Sequence, residues 1–297
     1  MQIVPNQALA PSELILNPDG SVYHLKLQPE QIATTVITVG DPERVGAVSK
    51  HFDRIEHKVQ SRELITHTGY IGTKRISVLS TGMGTDNIDI CINELDALVN
   101  IDLATRTPKS TLTSLDIIRI GTSGCLRGEI PLDAFLVSKY AVGMEGLMLF
   151  YPQAPSASEQ KLSQQLQTHA QQKGFSFPIA PTFAQADDRL SNLFAGFYEG
   201  ITLTATGFYA PQNRNLRLGS AVSGLFEMAA DFEFEGLHIT NLEMETSGIY
   251  GLANLLGHKA VSLSTLIANR VQGSFSPNPH AAVDKLIVEA LTAICAG

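Results

Sequence analysis

Short β-branched runs that alternate with helix-like stretches constrain the fold of this chain more than any other feature. Most runs are apolar on both faces, which is typical of strands covered by helices on two sides. Helical spacing of apolar residues between the runs, with Gly174 and Gly257 as helix ends, predicts an α/β fold. We expect one central mixed β-sheet flanked by helices, an α/β/α sandwich. The predicted strands cover residues 34–40, 76–82, 117–124, 133–143 and 259–269.

The chain of 297 residues is interpreted as one domain, residues 1–297, with residues 1–20 as an N-terminal extension. No internal repeat or change of composition marks a boundary within it. We expect helices at residues 88–99, 159–174, 249–256 and 279–296. We interpret residues 183–200 as a helical excursion.

Charge and cysteine content exclude several classes of function. A net charge of −8 argues against general binding of nucleic acid or of anionic membranes. Cys91, Cys125 and Cys295 are far apart and form no Cys/His cluster, so we expect neither a metal site nor disulfides. Free thiols favour a cytoplasmic location. We expect no signal peptide and no membrane-spanning segment.

Arg119 lies inside the apolar run IIRI at residues 117–120, which leads into the turn GTSG at residues 121–124. A charge in a buried strand costs free energy unless it is paired. One interpretation is that Arg119 binds an anion such as phosphate beside the glycine-flanked turn. The other is an ion pair with a core carboxylate, and this segment alone favours neither.

Three predicted strands end in turns that contain glycine, at Gly40, Gly82 and Gly121. After the first of them, Asp41 is a candidate helix N-cap, and Arg44 follows one turn into the helix. Taken alone, this segment is slightly better explained as a capped helix with a solvated arginine. Because ligands bind beyond the carboxyl ends of strands in open α/β sheets, the three turns together favour a shared anion site with Arg44 and Arg119.

Two further segments carry groups that suit a nucleoside. Glu243 and Glu245 would share one face if the chain is still extended there, and a carboxylate accepts two hydrogen bonds from a sugar diol. Unless a sugar site is indicated independently, an acidic helix N-terminus explains the same residues better. The segment FYAPQNR at residues 208–214 combines aromatic rings with Gln212 and Arg214, which together can read a flat heterocycle. The alternative is an ordinary Pro/Asn loop.

In their order along the chain, these segments resemble the motifs of the nucleoside phosphorylases, and specifically of the uridine phosphorylase branch. The resemblance extends from about residue 22 to the C-terminal helix. It implies a reversible reaction of uridine with inorganic phosphate, giving uracil and ribose 1-phosphate. The matching segments are VYHL at 22–25, GDPERV at 40–45, STGMG at 80–84, RIGTSG at 119–124 and EME at 243–245.

The resemblance also implies a role for each site residue. It assigns phosphate to Gly40, Arg44, Arg62, Arg119 and Thr122; ribose to His24, Thr122, Met244 and Glu245; and the base to Phe208, Gln212 and Arg214. Arg119, Arg214 and Glu245 are the residues expected to carry catalysis. Arg62 and His24 are expected to act in the site of a neighbouring subunit, which implies a homo-oligomer, either a dimer or a trimer of dimers.

Differences within the family bear on the substrate. Purine-specific members carry an aspartate near the end of the late strand, where this chain has Asn269. Leu242 replaces a tyrosine found in some bacterial members. Asn87 replaces a serine that helps bind a monovalent cation between subunits, although Glu63 is present. No other cofactor is expected. Alternatives are a purine nucleoside phosphorylase, a nucleosidase that uses water, and a binding paralogue without activity.

Overall fold

The computed structural model describes residues 7–296. Residues 1–6 of the expected N-terminal extension, and Gly297, lie outside the described part. Within it, the strands are β1 (Thr35–Val39), β2 (Arg54–Ser61), β3 (Leu64–Ile71), β4 (Lys74–Ser80), β5 (Ile101–Asp102), β6 (Thr107–Pro108), β7 (Asp116–Cys125), β8 (Phe135–Met144), β9 (Thr182–Gln185), β10 (Tyr198–Ala205), β11 (Glu233–Phe234), β12 (Leu237–Glu243), β13 (Lys259–Asn269) and β14 (Ser274–Phe275). The α-helices are α1 (Pro42–Ser49), α2 (Thr85–Asn100), α3 (Ala157–Gln172), α4 (Asp188–Asn192), α5 (Leu225–Ala230), α6 (Thr246–Leu256) and α7 (Pro279–Ala296).

In residues 7–296, twelve of these strands form one mixed sheet, in the order β11-β12-β10-β8-β13-β7-β1-β4-β3-β2, with β9 and β14 attached to β8 and β13. The strands β4, β1, β7 and β13 are parallel neighbours. Their carboxyl ends therefore share one edge. The expected α/β fold with a central mixed sheet is confirmed.

The sheet carries helices on both faces. Side chains alternate along each central strand, so that Val36 packs in the core layer of α2 and α6 and Ile37 packs in the layer of α1 and α7. In residues 7–33, Leu14, Val22 and Leu25 pack into the α2 layer. The three-layer sandwich follows from strands that are apolar on both faces.

Closure of one part of the sheet was not predicted. Besides pairing with β10, β12 pairs antiparallel with β7 through Asn241 opposite Cys125 and Leu242 opposite Gly124. The strands β7, β13, β8, β10 and β12 therefore form a closed ring. This closure brings the end of β12 beside the end of β7, where the functional residues lie.

The prediction of a helical excursion at residues 183–200 was wrong in most of its length. The chain forms strand β9, which pairs with β8, then the short helix α4, and then enters β10 at Tyr198. Pairing with β8 is a contact between residues distant in sequence, which a local pattern does not reveal. The hairpin of β2 and β3 was also absent from the prediction. The exposed, charged alternation of β2 is typical of a sheet edge rather than a buried strand.

Candidate active site

A cavity of about 640 Å³ opens at the carboxyl ends of the central parallel strands. Its wall includes the turns after β1 and β4 and the last residues of β7, β12 and β13. Except for His24 and Arg62, every residue predicted for the site lines it: Gly40, Arg44, Arg119, Thr122, Phe208, Gln212, Arg214, Met244 and Glu245. The turns at Gly40 and Gly82 therefore meet beside the end of β7, as parallel strand ends require. The turn predicted at residues 121–124 was wrong, because these residues pair with β13 and continue β7 to Cys125.

One end of the cavity contains Arg44 and Arg119. The Asp41 side chain caps α1 by accepting a hydrogen bond from the backbone N of Glu43 at 2.9 Å, and this start of the helix orients Arg44. The Arg44 Nη1 donates to the carbonyl oxygen of Ile120 at 3.2 Å. Burial, and next the positive charge of Arg119, lower the pKa of Arg44. Two guanidinium groups of like charge, that of Arg44 partly buried and that of Arg119 buried, favour an anion between them.

Arg119 is only 6% exposed and satisfies both interpretations of its sequence position. Its Nη2 donates to Glu245 at 2.6 Å and lies 3.4 Å from a carboxylate oxygen of Glu243, yet it also lines the cavity. Burial lowers the pKa of Arg119, but the carboxylates of Glu243 and Glu245 outweigh it and raise that pKa overall. The arginine is therefore held as a fixed cation at the cavity wall.

The two carboxylates beside Arg119 have different surroundings. Glu243 is 4% exposed and accepts hydrogen bonds from the backbone N of Glu245 and of Thr246, each at 2.9 Å, and from the Thr204 hydroxyl at 2.6 Å. Burial raises its pKa. Strand β12 ends at Glu243, so the condition for Glu243 and Glu245 to share an extended face is not met. Glu243 therefore accepts hydrogen bonds at the start of α6, which agrees with the interpretation as an acidic helix N-terminus.

Glu245 instead connects two parts of the cavity wall. One carboxylate oxygen accepts from Arg119, and the other accepts from the backbone N of Gly84 at 2.8 Å. Gly84 precedes α2 and has φ of 89°, a conformation that favours glycine. The carboxylate is thus fixed in the cavity with lone pairs left over for a ligand hydroxyl.

A second group of polar side chains forms around Phe208. The Arg214 guanidinium lies 3.8 Å from the Phe208 ring centroid, and its Nη1 donates to the Gln212 amide oxygen at 2.6 Å. Gln212 is 2% exposed. Burial, and next the charge of Arg270, lower the pKa of Arg214 to about 10. Gln212 and Arg214 therefore act as one rigid donor unit beside an aromatic face.

Sequence reasoning missed Arg270 at this end. It follows β13 directly, and its side chain donates to the backbone of the loop that carries Gln212. Its position after a core strand was a usable signal. Asn269, beside it, donates to the carbonyls of Arg127 and Ile130 and accepts from two backbone N–H groups, so its amide is committed to the chain.

His24 and Arg62 lie outside the lining of the cavity. The His24 ring is 2.6 Å from a carboxylate oxygen of Glu94, which also accepts from the backbone N of His24 and Leu25. Arg62 is exposed at the β2–β3 turn with φ of 56°. The next residue, Glu63, does line the cavity, as does Asn87. The roles assigned to His24 and Arg62 in a neighbouring subunit stay predictions.

Within residues 7–296, no cluster of three or more His, Cys, Asp or Glu side chains is arranged to hold a metal ion. Among the helices of the same range, none combines the length and apolar character needed to cross a bilayer.

Comparison with known proteins identifies relatives of this chain. A uridine phosphorylase of Thermococcus kodakarensis is 29% identical over 262 residues, covering 86% of this chain and 80% of the relative. A uridine phosphorylase of Haemophilus influenzae is 29% identical over 255 residues, with 84% and 87% covered. Among solved structures, a Trypanosoma brucei nucleoside phosphorylase described as showing uridine phosphorylase activity has a TM-score of 0.83 at 28% identity, covering 94% of this chain and 99% of that one.

The family model of the phosphorylase superfamily matches residues 34–296. That range contains the whole cavity wall, from Gly40 to Phe275. Together with the shared fold, this match over most of the sequence establishes that the chain belongs to the phosphorylase superfamily.

Proposed function

We propose that this chain is a uridine phosphorylase, a pentosyltransferase that converts uridine and inorganic phosphate reversibly into uracil and ribose 1-phosphate. The observation that carries the proposal is that Gln212 and Arg214, hydrogen-bonded to each other with Arg214 over the Phe208 ring, line the same cavity as Arg44 and Arg119. One cavity thus offers cations for an oxyanion and a planar donor unit for a heterocycle. The names of the relatives agree with this chemistry.

In the proposed reaction, phosphate is the nucleophile. Arg44 and Arg119 hold it with Gly40 and Thr122, and one phosphate oxygen forms a bond to C1′ as the C1′–N1 bond breaks. Positive charge develops on the ribose, as in other glycosyl transfers, and the phosphate charge stabilises it. The proton of hydrogen phosphate is lost and uracil gains one, so the overall reaction balances without a covalent enzyme intermediate.

The electron pair of the broken bond moves into uracil, which becomes an anion until it is protonated. Arg214, with its positive charge fixed against Phe208 and Gln212, stabilises that anion where the charge develops. Glu245 and Met244 position the ribose, and Glu245 accepts hydrogen bonds from its hydroxyls. Fixing both reactants supplies the proximity contribution to catalysis.

The complete site in this proposal contains residues of two subunits. Arg62 adds a cation to the phosphate site of a neighbouring subunit, and His24 contacts the ribose there, so the enzyme is a homo-oligomer, a dimer or a trimer of dimers. Glu63 and the amide oxygen of Asn87 are the ligands this chain would contribute to a monovalent cation between subunits. We place the reaction in the cytoplasm.

Release of free base from uridine, measured with and without inorganic phosphate and beside an inosine control, tests the proposal. Phosphate-dependent release of uracil and formation of ribose 1-phosphate are the expected results. Release without phosphate would instead indicate a nucleosidase, and turnover of inosine alone would indicate a purine enzyme. An absence of turnover for both nucleosides would refute catalysis and favour a binding protein.

A further inference from the structure

Arg270 connects the central sheet to the loop that carries Gln212 and Arg214. Its Nη1 donates to the carbonyl oxygen of Gln212 at 3.0 Å, and its Nη2 donates to that of Asn213 at 3.2 Å. The backbone N of Arg270 donates to Cys125 at the end of β7, at 2.8 Å. The planar guanidinium fork is suited to bind two neighbouring carbonyls at once, which a lysine is not.

The loop has few other connections to the sheet. In the described part of the chain, the remaining hydrogen bonds of residues 208–214 stay within residues 208–220: the backbone N atoms of Gln212 and Arg214 donate to Tyr209 at 3.0 and 2.8 Å, for example. Asn213 has φ of 54°, in the left-handed region that most residues avoid. The loop therefore depends on Arg270 for its position relative to the cavity wall.

Arg270 does not serve as an ordinary ion-pair partner. Both of its side-chain hydrogen bonds go to uncharged carbonyl oxygens, and its guanidinium lies 5.0 Å from the ring centroid of Phe226. Burial lowers its pKa. A half-buried cation that binds backbone carbonyls costs free energy that an apolar residue would not, so a role in holding the loop accounts for it better than stability alone.

Gln212 and Arg214 would respond together to a shift of this loop. The Gln212 amide oxygen accepts from Arg214, while its amide nitrogen has no hydrogen-bond partner within residues 7–296 and is free for a ligand. We propose that Arg270 is a positioning residue for the base end: by fixing the carbonyls of Gln212 and Asn213, it sets the orientation in which the Gln212–Arg214 pair meets the base. This inference rests on the proposed function.

A double-mutant cycle with Arg270→Met and Gln212→Ala tests it. Methionine keeps an apolar chain beside Phe226 and removes both donors. We expect R270M to lower kcat/KM for uridine about 10- to 100-fold, the cost of a small misplacement of a contact group, while the KM for phosphate is unchanged. If Arg270 acts through Gln212, R270M will lower kcat/KM for uridine by a much smaller factor in the Q212A background than in the wild-type background. Equal losses in both backgrounds would overturn the inference, as would normal uridine kinetics for R270M.

Arg127→Met is the matched control, because Arg127 also donates to a backbone carbonyl, that of Ala230 at 2.7 Å, which lies outside the loop of residues 208–214. We expect it to keep uridine activity. Amide hydrogen exchange of residues 212–214 gives a readout that does not need catalysis: exchange should accelerate in R270M and not in R127M. Unchanged amide exchange in R270M would overturn the inference, whether or not the wild-type protein is active on uridine. Inactivity of the wild-type protein alone would refute only the proposed function. Arg270→Lys serves if R270M does not fold, with the same expected direction.

Discussion

The Arg119 guanidinium folds back over Gly121, two residues further along β7, and occupies the space that a Cβ atom on Gly121 would need. Every other residue type would place its Cβ atom in the space that the guanidinium occupies. Gly121 therefore makes room for the arginine at the anion end of the cavity, although it does not line the cavity itself.

Gly121→Ala should displace Arg119 from the cavity wall. We expect kcat/KM for phosphate to fall about 100-fold, because a catalytic group displaced by around 1 Å loses that much. Gly46→Ala is the control: nothing lies within 4 Å of a Cβ built on Gly46, and alanine is the better helix former. Steady-state kinetics with varied phosphate distinguishes the two, and a G121A enzyme with normal phosphate kinetics would contradict the role of Arg119.

Arg214→Ala should remove the donor that stabilises the departing base. We expect kcat/KM for uridine to fall about 10²- to 10³-fold, the usual cost of losing one preorganised donor to developing negative charge. The control is Arg217→Ala, which removes an exposed arginine three residues further along the chain and should retain activity. Near-normal turnover of uridine by R214A would remove Arg214 from the base site.

Substituting glutamine should mainly lower activity at Glu245 and mainly lower stability at Glu243. We expect Glu245→Gln to lower kcat/KM for uridine about 100-fold with a small change in Tm, because its carboxylate positions the ribose. Glu243→Gln should lower the free energy of unfolding by about 1–3 kcal/mol, since it disturbs a buried acceptor of three hydrogen bonds. Thermal unfolding and kinetics on both variants check this, and the reverse pattern would exchange their roles.

Asn269→Asp should fail to create purine activity. The Asn269 amide nitrogen donates to two backbone carbonyls, at 3.0 and 3.2 Å, and a carboxylate cannot donate to either. We expect a loss of about 1–3 kcal/mol in stability and no turnover of inosine. Asn254→Asp, at an exposed position on α6, is the control for the chemical change. Inosine cleavage by N269D would show that the side chain can turn into the cavity.

Thiol labelling should distinguish the three cysteines. Burial raises the pKa of all three thiols, but Cys91 and Cys125 are buried in the structure whereas Cys295 is exposed. Because a labelling reagent must reach the thiolate, we expect one fast thiol in the native protein at pH 8 and three in denaturant. Rapid labelling of Cys91 under native conditions would contradict its place in the α2 core.

The sequence was sufficient for features that depend on local pattern and on the geometry of parallel sheets. Gly40, Gly82 and Arg119 could be placed at one cavity because the carboxyl ends of parallel strands always share an edge. Glu243 and Glu245 could not be told apart, since their surroundings depend on where β12 ends.

Contacts between residues that are far apart in the sequence could not be predicted from the local sequence pattern. The position of Arg270 after a core strand marks it as a candidate site residue, but it does not reveal that the side chain binds carbonyls 57 and 58 residues earlier in the chain. Likewise β9 is four residues long and owes its extended form to β8. The pairing of β12 with β7 joins residues more than a hundred positions apart, at Asn241 and Cys125.

The place of β13 in the sheet has a consequence for how the protein is made. It lies between β7 and β8, strands that precede it by more than a hundred residues, so these two leave the ribosome without the neighbour that separates them. A nascent chain that ends before Lys259 has a gap at the centre of its sheet and lacks one wall of its cavity. Such non-local contacts slow folding. Ligand binding should therefore appear only after translation is nearly complete, and shortened chains should depend on chaperones rather than on substrate for protection.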